Sequence, residues 1–356
     1  MATQTVFTAV RGKLLRLTER FGLSGRRGEI LDTYDRICRE SLSMAPGRQR
    51  PEGCRLNRDG TAIQFSLALQ RGRAAALQFL GEAGSPSLND AERAEVGVQT
   101  IADVSERLGL EPETKRVLDL MPQLAPRKGT RRSGSGPGVY WIGASFPPAG
   151  GPALTIYVNT RFGEDQHPWS CAQTAAEFCG QGDSWKRVKG ALSPALTPLG
   201  TAFTISAHHP VSARTYFSGY GLRWRDYRDL FENISATAQA GDLIDRYTLA
   251  TIGEERQYPL RSAVCSFQFE PGGAMNPKFE LCAHCAYLND AEAARRSQAW
   301  IESEGMDSGL YLDMVELLGA APKASAPKLH AYVGVGVRGE EPYSTVYLNP
   351  GPGISE

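Results

Sequence analysis

Three basic residues and a series of tyrosines have the types and spacing that could do chemistry in this sequence. Arg214, Lys278 and Arg338 fall in segments with the two-residue alternation of β-strands, each on the polar side of its segment. Tyr157, Tyr216, Cys282 and Tyr347 take similar places in successive strand pairs, separated by 59, 66 and 65 residues. Tyr332 shares a polar face with Arg338. Fixed guanidinium and ammonium groups in a low-dielectric setting hold anions, and aromatic faces shelter apolar or cationic groups. Taken singly, a strand tyrosine is core more often than catalytic, and a buried cation has an equal claim as an ion-pair partner. Recurrence in successive pairs is what argues for a site.

The positioning elements are five pairs of short strands near 61–82, 138–160, 201–219, 262–287 and 329–350. Helical spacing of apolar residues between them predicts helices over 4–20, 29–45, 90–108, 168–190, 222–235 and 290–304. Leu88-Asn89-Asp90-Ala91-Glu92 after the first pair recurs as Leu288-Asn289-Asp290-Ala291-Glu292 after the fourth, each with an Asn or Asp free to cap a helix. Phe65, Leu67 and Leu69 alternate with Gln64, Ser66 and Ala68. Ala213, Thr215 and Phe217 alternate with Ser212, Arg214, Tyr216 and Ser218; Phe279, Leu281 and Ala283 with Lys278, Glu280, Cys282 and His284. In the last pair Leu329, Ala331, Val333, Val335 and Val337 oppose His330, Tyr332 and Arg338. If helices cover the greasy faces, ten antiparallel strands close into a barrel with the polar faces inside. An open sheet with its polar face in water would carry more Glu, Lys and Thr and fewer rings. The Arg/Gly/Ser stretch from Arg127 to Gly138 reads as an exposed loop.

From about Asp59 to Pro350 the sequence resembles the dimethylallyltryptophan synthase family of aromatic prenyltransferases. The anchors are Asp59-Gly60-Thr61-Ala62-Ile63-Gln64-Phe65-Ser66, Tyr157, Arg214-Thr215-Tyr216, Lys278 to Cys282, and the Tyr332, Arg338, Tyr347 series. The resemblance implies an α/β fold: a ten-stranded antiparallel ABBA barrel of ααββ units, helices outside, active site in the lumen, as one domain over 1–356. It implies Arg214, Lys278, Arg338 and Tyr347 as the clamp on an allylic diphosphate, because cationic donors stabilise the departing diphosphate. Tyr157, Tyr216, Tyr332 and Tyr347 would shield the carbocation from water. The sequence also departs from the family. Gln64 stands where a glutamate usually accepts the indole N–H, Thr155 and Ser212 take commonly basic positions, Cys282 replaces a frequent tyrosine, and Gln78 stands at an arginine position. Arg71 or Arg73 could reach inward from the turn, and the loop with Lys128, Arg131 and Arg132 is a further source of charge.

The expected reaction is alkylation of an aromatic carbon, with Gln64 orienting the acceptor and Glu280 the candidate base beside diphosphate or water. The donor implied is dimethylallyl diphosphate, with geranyl diphosphate as an alternative; the acceptor is an indole-like or fused small-molecule ring. Rival readings are transfer to a peptide, oxygen or nitrogen, and a non-catalytic barrel carrying a hydrophobic or anionic ligand. No Asp-rich magnesium–diphosphate motif occurs, so no cofactor is expected and Mg2+ is not expected to be essential. Cys282-Ala283-His284-Cys285 lacks a second Cys/His pair for zinc, His208-His209 before Pro210 marks a hairpin turn, and no glycine-rich phosphate loop opens a helix.

Totals bound the rest. Zero formal net charge over 356 residues gives no bulk attraction to nucleic acid or anionic membrane. Arg11, Lys13 and Arg16 interrupt the apolar stretch from Val6 to Leu17, and no apolar run approaches the ~20 residues of a membrane span. Seven scattered cysteines resemble buried thiols more than a disulfide framework. A cytoplasmic enzyme is expected; oligomeric state is not legible.

Overall fold

A computed structural model describes residues 5–43, 56–57, 61–124, 139–161, 167–234, 239–254, 257–258, 262–272, 275–283, 289–319, 329–338 and 341–350. The strands are β1 (Ile63–Gln70), β2 (Leu77–Gly81), β3 (Tyr140–Phe146), β4 (Ala153–Asn159), β5 (Leu196–Ser206), β6 (His209–Gly219), β7 (Ala263–Phe269), β8 (Met275–Cys282), β9 (His330–Arg338) and β10 (Glu341–Leu348). All neighbours are antiparallel, and β1 pairs with both β2 and β10, so the sheet closes into a ten-stranded barrel. Closure leaves no strand edge to be protected.

Around it lie α1 (Val6–Arg20), α2 (Arg27–Cys38), α3 (Asp90–Leu108), α4 (Glu111–Leu124), α5 (His167–Phe178), α6 (Gly182–Ala191), α7 (Trp224–Ile234), α8 (Gln239–Thr251), α9 (Asp290–Ser303) and α10 (Gly309–Leu318). Helix pairs alternate with strand pairs, the expected ααββ order. The hydrophobic core sits between barrel and helices: Phe65, Phe79, Phe146, Phe203, Phe217, Phe267 and Phe279 are buried on the outer strand faces. Each such ring contributes roughly 1.5–3 kcal/mol by leaving water.

Both repeated caps form. Asn89 accepts from the amides of Ala91 and Glu92, whose carboxylate returns to the Asn89 amide, and Asn289 accepts from the Glu292 amide. Other boundaries differ from expectation. The helix expected over 168–190 is broken into α5 and α6 at Gly180, whose φ of 71° suits a left-handed helix end. The helix expected over 29–45 ends at Cys38. Three helices were not anticipated: α4 contains Pro122 and α8 contains Gly241, residues that count against a helix interior, although Val117, Met121 and Leu124 in the one and Leu243, Ile244 and Tyr247 in the other do keep helical spacing; α10 is apolar on most sides, which blurs its stripe. Lys128, Arg131, Arg132, His284 and Cys285 lie outside the described residues, as do Asp59 and Gly60 of the first anchor.

One face assignment is corrected. His330 does not share the lumen face with Tyr332. The β9–β10 register runs Tyr347↔Tyr332 and then Leu348↔His330, so a bulge at Ala331 turns His330 outward. There its Nδ1 lies 3.1 Å from Asp290 Oδ1 and its Nε2 2.8 Å from the Tyr311 hydroxyl, joining β9 to α9 and α10. A buried ion pair does similar work elsewhere: Arg93 Nη1 of α3 lies 2.9 Å from Glu82 Oε1 just past β2.

Candidate active site

Polar strand faces converge on an internal cavity of about 710 Å3. Its wall includes Ser66, Gln78, Tyr157, Arg214, Tyr216, Gln268, Lys278, Tyr343 and Tyr347. Two lumen rows place the chemistry. One runs Tyr157, Ala202, Arg214, Gln268, Asn276 across β4 to β8, and the other runs Tyr216, Ser266, Lys278, Gly336, Tyr343 across β6 to β10. Cations and tyrosines that are far apart in sequence become neighbours because the register of each hairpin aligns them.

Arg214 is held without a carboxylate contact among the described residues. Its Nη1 donates to Ser266 Oγ (3.0 Å) and to the Asn276 carbonyl (3.5 Å), and its Nη2 donates to Gln268 Oε1. Enclosure opposes its charge and the Glu280 carboxylate favours it; its pKa is raised on balance, so the guanidinium stays ionised. A half-buried cation with neutral hydrogen-bond partners is poised for an anion.

Lys278 differs. Its Nζ lies 2.6 Å from Glu280 Oε1, donates to the Tyr347 hydroxyl at 2.6 Å, and sits 4.7 Å from that ring's centroid. Glu280 is buried and faces the lumen but does not border the cavity. Arg338 is exposed at the rim, its guanidinium carbon 5.4 Å from the Tyr343 ring centre. Arg73 also borders the cavity; Arg71 does not, and lies against Gly305.

The Tyr157 and Tyr216 rings lie 6.0 Å apart, those of Tyr332 and Tyr347 6.5 Å apart. Burial raises the pKa of Tyr157, Tyr216 and Tyr347, partly opposed at Tyr157 by a hydrogen bond with Tyr216. These hydroxyls therefore remain neutral donors on uncharged rings. Tyr332 stands one level beyond the cavity wall, opposite Cys282.

Gln64 points to the lumen side but does not itself border the cavity, whose wall begins at its cross-strand partner Leu80. Its Nε2 donates to Asn57 Oδ1 at 2.9 Å, while Asn57 Nδ2 is committed to the carbonyls of Thr61 (2.9 Å) and Ile63 (2.6 Å). That chain fixes the amide orientation, so Gln64 presents its carbonyl oxygen. Thr155 and Ser212 border the cavity as neutral hydroxyls, and Gln78 accepts from Ser66 Oγ at 3.1 Å.

Sequence reasoning missed Gln268, Glu270, Asn276 and Tyr343. The first two were legible as polar alternates of Cys265, Phe267 and Phe269. Gly334 and Gly336 were missed too: a Cβ at Gly334 would lie 2.7 Å from Glu280 Cγ, and one at Gly336 2.5 Å from Tyr343 Cζ. Both glycines make room for those side chains.

No protein-family model matches the chain, and no curated protein matches it. Solved structures do. The 5-dimethylallyltryptophan synthase from Streptomyces coelicolor superposes with a TM-score of 0.83 at 20% identity, over 99% of this chain and 100% of that one. The 6-dimethylallyltryptophan synthase from Micromonospora olivasterospora, solved with DMASPP and Trp, gives 0.84 at 18% identity over 98% of each chain. AnaPT from Neosartorya fischeri gives 0.73 at 14% identity over 97% and 93%. The chain thus has the ABBA barrel fold of these proteins.

Proposed function

We propose that this ABBA barrel is an aromatic prenyltransferase that moves an allylic group from its diphosphate to a carbon of an indole-like or fused aromatic small molecule. The observation that carries the reading is Arg214, a half-buried and permanently charged guanidinium with neutral hydrogen-bond partners, facing a cavity walled by neutral tyrosines. Dimethylallyl diphosphate is the donor that fits the ligands named with the similar folds.

As the C–O bond of the donor breaks, negative charge grows on the diphosphate. Arg214, Lys278 and the Tyr347 hydroxyl donate to it, with Arg338 at the rim, so its departure needs no essential Mg2+. Tyr157, Tyr216 and Tyr347 turn ring faces to the allylic cation, as Tyr332 does from one level beyond, and they exclude water. The arene attacks through carbon while the Gln64 carbonyl holds its N–H or O–H. Diphosphate or water then takes the ring proton, because the expected base Glu280 lies outside the cavity wall and is paired with Lys278.

The test is incubation of the purified protein with dimethylallyl or geranyl diphosphate, a panel of indoles, carbazoles and phenols, and EDTA, followed by mass spectrometry. A product of added prenyl mass with EDTA present is the expected result. Product that forms only when Mg2+ is restored overturns metal independence. Binding of diphosphate and arene without turnover across the panel favours a carrier barrel.

A further inference from the structure

Arg214 and Glu270 stand on either side of one amide. Gln268 Oε1 accepts from Arg214 Nη2, and Gln268 Nε2 donates to Glu270 Oε1 at 3.1 Å and to Ser212 Oγ at 3.0 Å. Glu270 Oε1 also accepts from Asn276 Nδ2 at 2.8 Å, and the Asn276 carbonyl accepts from Arg214. Gln268 turns its oxygen to the guanidinium and its nitrogen to the carboxylate, so its amide has one orientation. Arg214, Ser212, Gln268 and Glu270 all border the cavity.

We infer that Gln268 is a positioning residue that keeps the Glu270 carboxylate off Arg214, leaving the guanidinium's charge available to an anionic ligand. The inference rests on the reading of this lumen as a diphosphate site. The physical reason is competition. A carboxylate paired with Arg214 in a low-dielectric lumen would be an internal anion, and a diphosphate would have to displace it. Gln268 satisfies the guanidinium with a neutral oxygen and ties the carboxylate down with its amide hydrogens. Lys278, paired with Glu280 at 2.6 Å, shows the alternative arrangement within the same lumen.

The test is calorimetric titration of the whole chain with inorganic pyrophosphate, which needs neither arene nor turnover. Gln268→Ala leaves Glu270 held by Asn276 alone among the described residues, with nothing between its other oxygen and Arg214, and is expected to weaken binding by about tenfold, the scale of one charge-assisted hydrogen bond. Gln268→Glu places the charge directly and is expected to weaken it at least as much. Glu270→Ala is expected to bind as tightly as wild type or more so, and the Gln268→Ala/Glu270→Ala double variant to return to within about threefold of Glu270→Ala. That rescue separates positioning from a merely structural role, since a packing defect at Gln268 is not repaired by removing Glu270. Thermal unfolding of each variant confirms a folded protein. Wild-type affinity in Gln268→Ala, or a double variant as weak as that single variant, overturns the inference alone. A wild type that binds no pyrophosphate overturns both the inference and the diphosphate site.

Discussion

A half-buried guanidinium held only by neutral acceptors keeps its charge available to an anion, and that is what Arg214 can contribute in the lumen. Arg214→Ala is expected to lower kcat by on the order of 10²-fold, the usual cost of removing one donor aimed at developing negative charge, in a prenyl-transfer assay; unchanged turnover removes Arg214 from the mechanism. Gln64 carries a subtler expectation. Asn57 spends both amide hydrogens on Thr61 and Ile63, so its oxygen faces position 64. In Gln64→Glu a carboxylate oxygen would meet that oxygen without a donor between them, and burial adds to the effect, so the new carboxyl holds its proton above the ordinary range. Protonated, it repeats what Gln64 does; ionised, it is a stronger acceptor for an indole N–H. The ratio of variant to wild-type turnover with indoles is therefore expected to rise with pH, and a flat ratio would separate Gln64 from the acceptor.

At the scale of elements, the helices are fastened to the barrel by a few buried polar contacts whose ionisation is legible. Lys13 of α1 donates to the Leu318 carbonyl at the end of α10 (2.5 Å) and to the Pro350 carbonyl beyond β10 (2.9 Å). Burial, helped by Arg16, lowers its pKa to about 8. The folded state thus holds fewer protons than the unfolded chain between that value and the ordinary lysine pKa, and stability rises with pH across that window. The neutral amine still donates both bonds. Urea unfolding of wild type against Lys13→Met should show wild type gaining about 2 kcal/mol relative to the variant as pH rises through that window, the full ~3 kcal/mol being reduced by the solvent that still screens the amine. A difference independent of pH would mean that Lys13 titrates normally. Helix existence and caps were legible where local chemistry sufficed, as at Asn89 and Asn289. α10 was not, because its sequence is apolar beyond the one stripe it buries, with Leu312 left exposed, and an apolar residue on the outer face blurs the period.

Across the whole molecule, the site exists only because ten strands close. Tyr157 and Arg214 belong to β4 and β6, Lys278 to β8 and Tyr347 to β10, so a ligand touching them ties most of the barrel together. Pyrophosphate at about 100 times its Kd should stabilise the fold by about 2.7 kcal/mol, read as a single calorimetric transition displaced upward, with the displacement lost in Arg214→Ala. Two separate transitions would argue against one domain over the chain. No helix among the described residues is long and apolar enough to cross a membrane. The sequence by itself determined which residues face inward: a two-residue period is local, so Gln64, Arg214, Lys278 and Tyr347 could be assigned to lumen faces without coordinates. It failed at His330, where a one-residue bulge set by pairing with β10 reverses the face. Only the tertiary structure decided who meets whom. Lys278 faces Glu280 while Arg214 is insulated from Glu270 by Gln268, and Asn57 turns the Gln64 amide. Those choices depend on register and on distances between strands remote in sequence, which no local pattern encodes.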